Sequence, residues 1–541
     1  MKADIVLSSN AVFTGIVNKP QKLSIAILDN RIIAVSPFEE IESLIGENTI
    51  VQQFGDQMIM PGFHDFHVHA MMGSLSLECA NLFSARSENE AVQIVQEYAK
   101  TVSEDEWIIG FMWDSSYWNN KKFPTRFSLD EAFPNRPVVL FHAEGHYTWV
   151  NSKALQIANI GSQTKNPPNG IIEKDQNGDP TGILIEEASS FITKYAYDFS
   201  KLKKRDLFRN FLVEAGKNGV TSINNLYGTE TLSGLDDFEV FSEFEIEEAL
   251  SVRMHLYPAL NGDMKEALRL RGKYHSDKLR VSGLKQFIDG VVTSRTAYMF
   301  EPYADAPDTF GLPAHSIEEI KKWVVDADRY GFSIRFHAIG DAAIRLALDS
   351  YENAQNVNGK RDSRHSVEHI EVIHPNDISR FASLGVIASM QPDHFALSER
   401  TTYTERIGSH REKYVFVINS LKKAGARLAF GTDFPIDSLN PLLQIYRAIT
   451  RIDSSGKEVW NPEERISLFD ALKAYTFGPA FGTFREHELG TLEEGKLADL
   501  VVLDRNLFEV HPEEIKDASI LMTICDGKIV YSKQKAYSQT R

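Results

Sequence analysis

Apolar and polar positions alternate in short blocks at both ends of the chain, whereas the middle sets apolar blocks between stretches with helical spacing. Near the N-terminus, Ile5-Val6-Leu7, Ser24 to Leu28 and Arg31 to Val35 read as strands, with a tight-turn signal at Asp29-Asn30. Asp499 to Leu503 and Lys528 to Tyr531 read the same way, and Asp526-Gly527 marks a turn before the second. The pattern predicts one small β-domain made from both chain ends and enclosing everything between them.

In the middle, eight strands are predicted in sequence with helices between them. The first ends at His67. The others are Val220 to Ile223, Arg253 to Tyr257, Gly283 to Ile288, Phe332 to His337, Ser366 to Ile370, Val386 to Met390 and Arg427 to Phe430. Ser316 to Tyr330 has the apolar spacing and charge of an amphipathic helix. Strand–helix alternation predicts parallel pairing, and eight units fit an α/β fold of the (β/α)8 TIM barrel type. A doubly wound sheet is the alternative, but no Gly-x-Gly-x-x-Gly follows any of these strands. About 150 residues separate the first strand from Val220, far more than one crossover needs. They hold strand signals at Trp107 to Phe111 and Val138 to Phe141 and a hairpin signal at Gln176 to Asp179. We expect residues 75–205 to form an inserted α+β subdomain that leaves the barrel at its C-terminal face and roofs it.

Composition narrows the class. Hydrophobic residues make up 43% of the 541 and charged residues 25%, as in an ordinary globular protein. No apolar run reaches the ~20 residues of a membrane span, and the N-terminus reads as a strand, not a signal peptide. A net charge of −17 argues against nucleic acid or an anionic membrane as partner. Two cysteines, Cys79 and Cys525, exclude a disulfide framework, and a cytoplasmic location is the simplest expectation.

The candidate chemistry lies at strand ends. In Pro61-Gly62-Phe63-His64-Asp65-Phe66-His67-Val68-His69, alternation turns His67 and His69 to one face. His337 and His369 close the fifth and sixth strands, and Asp433 follows the eighth in Gly431-Thr432-Asp433. C-terminal strand ends meet at one barrel mouth, so these distant residues become neighbours there. Four imidazoles and a carboxylate suit zinc. Lys285 lies within the fourth strand, where a lone ammonium facing inward is costly. It either pairs with a carboxylate, Asp289 being the candidate, or loses its proton and takes up carbon dioxide as a bridging carbamate.

These residues resemble the metal-dependent amidohydrolase superfamily, and its amidohydrolase family 3 branch in particular. Other resembling segments are Pro124-Thr125-Arg126, Gly145 to Leu155, Ser294 to Ala297, Ala338-Ile339-Gly340-Asp341, Met390-Gln391-Pro392 and Gly495 to Leu500. The resemblance implies a distorted barrel (58–74 and 206–479), a β-sandwich domain from both ends (1–57 and 480–541), and hydrolysis of a non-peptide C–N bond in a small molecule. It implies one or two zinc ions, with His67, His69 and Asp433 on the first, His337 and His369 on the second, and a carboxylated Lys285 between them. Asp433 is then also the catalytic base, and a homodimer is common in the family. Phe66, His64 and Glu144 depart from the family pattern and alter the expected pocket. Trp113, His146, Asp289, Arg295 and His394 are candidate substrate contacts, with His142 and Trp149 behind them. Asp341 and Glu368 are candidates to orient imidazoles, and His255 reads as structural. A linear N-acyl or N-formyl amide is the expected substrate class. A mononuclear deaminase of a cyclic amidine, using His67, His69, His337 and Asp433, and a catalytically silent scaffold are the alternatives.

Overall fold

The computed structural model describes residues 2–168, 170–228, 235, 237–397 and 400–533. Positions 534–541, within the expected terminal domain, lie outside the described residues, as do a few positions of the insertion and barrel segments.

Both chain ends do enter one sheet. Its eight strands run Lys528–Ser532, Ile520–Cys525, Leu500–Leu503, Met58–Pro61, Ile5–Val12, Gln21–Leu28 and Arg31–Ser36, with Ile50–Gln53 paired to Ile5–Val12. The ladder is continuous from one end to the other. A buried apolar cluster including Leu7, Ile25, Ile59, Leu500, Val502 and Ile524 fills one of its faces. The buried Arg253 guanidinium ties this sheet to the parallel strands, donating to Asp499 at 2.7 Å and to Asp526 at 2.8 Å.

Strand pairing divides the expected ring of eight into two parallel sheets. One runs Leu279–Val281, Arg253–Tyr257, Val220–Leu226, Phe63–Val68. The other runs Gly283–Phe287, Ser333–Ala338, Ser366–His369, Ile387–Met390, Arg427–Phe430. Single parallel bridges join them at both margins, Val68 to Phe434 and Ala259 to Lys285. The fourth expected strand is present as Gly283–Phe287, and a short strand the sequence did not mark, Leu279–Val281, precedes it and is parted from it at Ser282. Its backbone N–H stays with Leu256 at 2.9 Å, while Gly283 turns to the next sheet. A Cβ on Gly283 would stand 2.5 Å from the Ser333 carbonyl and 2.6 Å from the Tyr257 ring, so the turn is open only to glycine. The predicted amphipathic helix is present as Ile317–Arg329, started by a capping box in which Ser316 and Glu319 exchange hydrogen bonds.

The insertion has a six-stranded sheet of its own, ordered Gly170–Lys174, Pro180–Glu186, Tyr147–Val150, Val138–His142, Ile108–Trp113, Ala80–Asn81. The signal at Gln176 to Asp179 falls at the turn of its outer antiparallel pair. Trp113, Trp118, Leu129, Leu140 and Trp149 belong to a separate apolar cluster beneath it. No described helix is long and apolar enough to cross a membrane.

Candidate metal centre and its cavity

An open-mouthed cavity lies at the C-terminal ends of the parallel strands. His67, His69, Lys285, His337, His369 and Asp433 all line it. From the insertion come Glu144, Gly145, His146 and Glu186, and Met72, Phe287 and Ile436 supply apolar wall.

Three acceptor atoms converge on one point. The His67 Nδ1–H is committed to Glu368 at 2.9 Å and that of His69 to the Leu226 carbonyl at 3.0 Å. Each ring therefore turns a lone-pair Nε2 toward Asp433 Oδ1, at 3.1 Å from His67 and 3.2 Å from His69. Burial lowers the pKa of His67, against Asp433 and Glu368. The Asp433 carboxyl is held well below the usual range because His67 and His69 outweigh the cost of its burial. Converging lone pairs repel unless a cation sits among them, and ligands of a tetrahedral zinc at ~2.0–2.1 Å are themselves about 3.3 Å apart. The donor set fits a divalent ion.

A second group forms around the other oxygen of the same carboxylate. His394 Nε2 lies 3.5 Å and His369 Nδ1 4.0 Å from Asp433 Oδ2. In both groups, His67–His69–Asp433 and His369–His394–Asp433, the possible ligand atoms lie within 4.8 Å of one another. His369 Nδ1 and His394 Nε2 are buried without hydrogen-bond partners. Burial holds His369 well below its ordinary pKa; His394 is raised, because Glu371 and Asp433 outweigh its burial. His337 stands beside them, its ring 4.5 Å from that of His369, but gives its Nε2–H to the Gly290 carbonyl at 3.2 Å. His394, expected as a substrate contact, joins His369 and Asp433 in this group, of which His337 is not a member.

The backbone around these residues is strained. His369, Ile370 and Asp433 adopt φ of 74°, 53° and 58°, each costing roughly 1–2 kcal/mol for a residue with a Cβ. Behind them, Asp65 takes the backbone N–H of His67 at 3.1 Å and of Thr432 at 2.9 Å, and the Thr432 hydroxyl at 2.6 Å. The first strand is thereby fixed against the loop that carries Asp433. Strain at a cavity, over-determined by such bonds, marks a functional site.

Lys285 Nζ is fully buried, has no hydrogen-bond partner and sits 4.3 Å from the Phe287 ring centre. Burial brings its pKa down to about 8. Asp289 is not its ion-pair partner: that carboxylate takes the backbone N–H groups of Tyr298, Ile339 and Gly340 at 2.9–3.0 Å. His146 lines the cavity and gives Nδ1–H to Glu186 at 2.8 Å. Burial opposes its charge, but Glu186 prevails and lifts its pKa to about 9.

Several second-rank candidates lie elsewhere. Trp113 is buried in the insertion, its indole donating to the Leu140 carbonyl at 2.9 Å. Arg295 is absent from the cavity wall and pairs with Asp305 at 2.6 Å. Asp341 takes the Phe300 N–H at 2.9 Å, away from the imidazoles, whereas Glu368 does orient one. His142 meets the Tyr147 hydroxyl at 2.7 Å and Trp149 donates to the Thr125 carbonyl at 2.9 Å. His255 is structural, bonded to Ser282 and stacked on His64. Sequence reasoning missed Arg335, which clamps Glu368, and the cavity residue Glu186. An inward arginine two residues before His337 was the available signal for the first, since it needs a buried carboxylate. Nothing local marked the second.

Fold and candidate ligand groups together point to the family of metal-dependent amidohydrolases. The chain belongs to the Amidohydrolase family, whose sequence pattern matches residues 55–531. It is 33% identical over 539 residues to Protein LONG AFTER FAR-RED 3 of Arabidopsis thaliana, covering 98% of this chain and 92% of that one. It is 26% identical over 529 residues to N-substituted formamide deformylase of Arthrobacter pascens, covering 94% and 95%. Among solved structures, an uncharacterized metal-dependent hydrolase from Pyrococcus horikoshii OT3 superposes with a TM-score of 0.74 at 24% identity, over 94% of this chain and 99% of that one. That likeness is one of fold.

Proposed function

We propose that this protein hydrolyses the C–N bond of a linear, non-peptide amide, an N-acyl or N-formyl compound, with zinc as its metal. The observation that carries the reading is the convergence of imidazole nitrogens from His67, His69 and His394 on both oxygens of Asp433. The deformylase relative acts on N-substituted formamides by its name, which supports the bond class.

In this reading the two parallel sheets are arcs of one distorted (β/α)8 barrel, and the insertion is its roof. His67, His69 and Asp433 would hold one ion, and His337 and His369, with Lys285 as a carbamate, would hold a second. Bound there, a divalent ion polarises a carbonyl and makes water acidic enough to ionise near neutral pH. The chain's own groups do the rest. Glu368 and the Leu226 carbonyl keep His67 and His69 in the Nδ1–H tautomer, so that Nε2 faces the site. Asp433 Oδ2, beside His394, takes the proton of the attacking water and passes it to the leaving nitrogen. His146, held by Glu186, lines the cavity wall and is placed to donate to a bound substrate. Lys285, buried and unpaired, supplies the neutral amine that carbamate formation needs.

The test is metal analysis of chelator-free protein, native and Lys285→Ala, with a screen of N-acyl and N-formyl amides. The expected result is about two zinc ions per chain, fewer after substitution, and hydrolysis of at least one amide series. One ion, unmoved by the substitution, with turnover of cyclic amidines instead, would replace this reading with the mononuclear deaminase.

A further inference from the structure

The cavity roof carries two carboxylates, and only one has both oxygens occupied. Glu186 closes the Pro180–Glu186 strand; Oε2 takes the Nδ1–H of His146 and Oε1 takes the Thr296 hydroxyl, each at 2.8 Å. Glu144 gives Oε2 to the Thr293 hydroxyl. Its nearest imidazole, His142, stands 3.9 Å from that same oxygen and accepts the Glu144 backbone N–H on the facing nitrogen. Among the described residues no donor reaches Oε1, and no lysine or arginine pairs with this carboxylate. Its side chain is 10% exposed, and what it faces is the cavity.

The wall around it has a definite charge pattern. Glu144, Glu186 and Asp433 line the described cavity; no arginine does, Lys285 is the one lysine, and the His146 cation is taken up by Glu186. A substrate carboxylate is best held by the planar fork of an arginine, and here it would meet a like charge instead. Between the ligand cluster and the roof the wall is apolar, with Met72, Phe287 and Ile436. Gly145 brings roof and wall together. It sits at φ 75°, and a Cβ there would stand 2.8 Å from Ile436 Cδ1, so the close approach that hangs Glu144 over the cavity requires glycine.

We infer that Glu144 is a specificity residue: it selects amides that carry an ammonium or other hydrogen-bond donor beyond a short apolar spacer and rejects amides that carry a free carboxylate. This rests on the amide-hydrolase reading above. A donor at the far end satisfies Oε1, while the spacer runs along Met72, Phe287 and Ile436.

Three amides of one length test it: N-formyl putrescine, N-formyl butylamine and N-formyl γ-aminobutyrate, with their N-acetyl counterparts, on zinc-replete enzyme. The ammonium amide should exceed the carboxylate amide in kcat/KM by about ten- to a hundredfold, as for a hydrogen bond to a charged partner. In Glu144→Gln, which preserves size and an acceptor for Thr293, that ratio should collapse toward parity. Equal rates, a preference for the carboxylate, or an unchanged ratio in the variant would overturn the inference while leaving the amide-hydrolase reading standing. If none of the amides is cleaved, that reading fails. Calorimetric binding of the same three then decides the inference alone: tighter binding of the ammonium amide that depends on Glu144 sustains it, and equal binding overturns it.

Discussion

The substitution Glu368→Gln removes one charge from the most heavily bonded carboxylate beneath the site. Glu368 is wholly buried and takes hydrogen bonds from Arg335 Nε at 2.8 Å, Arg335 Nη2 at 2.9 Å, His67 Nδ1 at 2.9 Å and the Ser366 and Ser389 hydroxyls. Arg335 is 1% exposed and lies 3.8 Å from the centre of the Phe66 ring and 4.8 Å from that of Tyr257, with no other carboxylate beside it. Glutamine keeps one acceptor oxygen, which at the Oε2 position still serves His67 and Arg335 Nη2, but its amide N–H2 then faces Arg335 Nε. The guanidinium is left buried without its counter-charge, which costs about 3 kcal/mol, the low end for breaking a buried pair. Loss of the carboxylate behind His67 should weaken metal binding about 10- to 100-fold. The stability loss is read as a lowered urea midpoint of metal-free protein at unchanged slope, and the affinity by competition with a chelator. Burial pushes Glu368 up, but Arg335 and His67 outweigh it and hold the folded pKa well below the ordinary value. Its contribution is therefore complete above the usual glutamate range and lost progressively below it. A loss under about 1 kcal/mol at neutral pH with unchanged metal affinity would refute the argument, because the pair would then be replaceable by its neighbours.

Asp433→Asn should retain much of the metal, since an amide oxygen still faces His67 and His69, yet lose about 10²–10⁴-fold in kcat. Metal analysis beside steady-state kinetics checks this, and near-native turnover would take Asp433 out of the reaction. His255 is stacked on His64 with ring centres 5.3 Å apart, and its Nε2 is buried without a partner. Burial, then His64 and the cations of Arg485, Arg280 and Arg253, hold its pKa well below the ordinary value. Below the ordinary histidine pKa of about 6.5 the unfolded chain binds the extra proton, so His255 costs stability as pH falls, up to about 1.4 kcal/mol per unit. His255→Gln should flatten the fall in urea midpoint between about pH 7 and about pH 5 relative to the native chain. An unchanged slope would mean that other groups carry the acid sensitivity.

What the sequence determined follows from local rules. Alternation put His67 and His69 on one face, and placement at strand ends brought His337, His369 and Asp433 to the same cavity. Turn residues marked the terminal strands, and apolar spacing and charge marked the helix beginning at Ile317. The apolar pattern did not show the strand Leu279–Val281 before the fourth strand, because the break at Ser282 that separates them is enforced by the Ser333 carbonyl and the Tyr257 ring pressing on Gly283. Nor could spacing distinguish an ion-paired Lys285 from an unpaired one, since both leave the same apolar neighbours in the chain. That was settled when three backbone N–H groups from distant segments claimed Asp289. The place of His394 beside Asp433, the Arg335–Glu368 clamp and the free oxygen of Glu144 likewise exist only in three dimensions. Residue type and strand position are properties of the local chain, but whether a polar atom finds a partner depends on which remote backbone reaches it first.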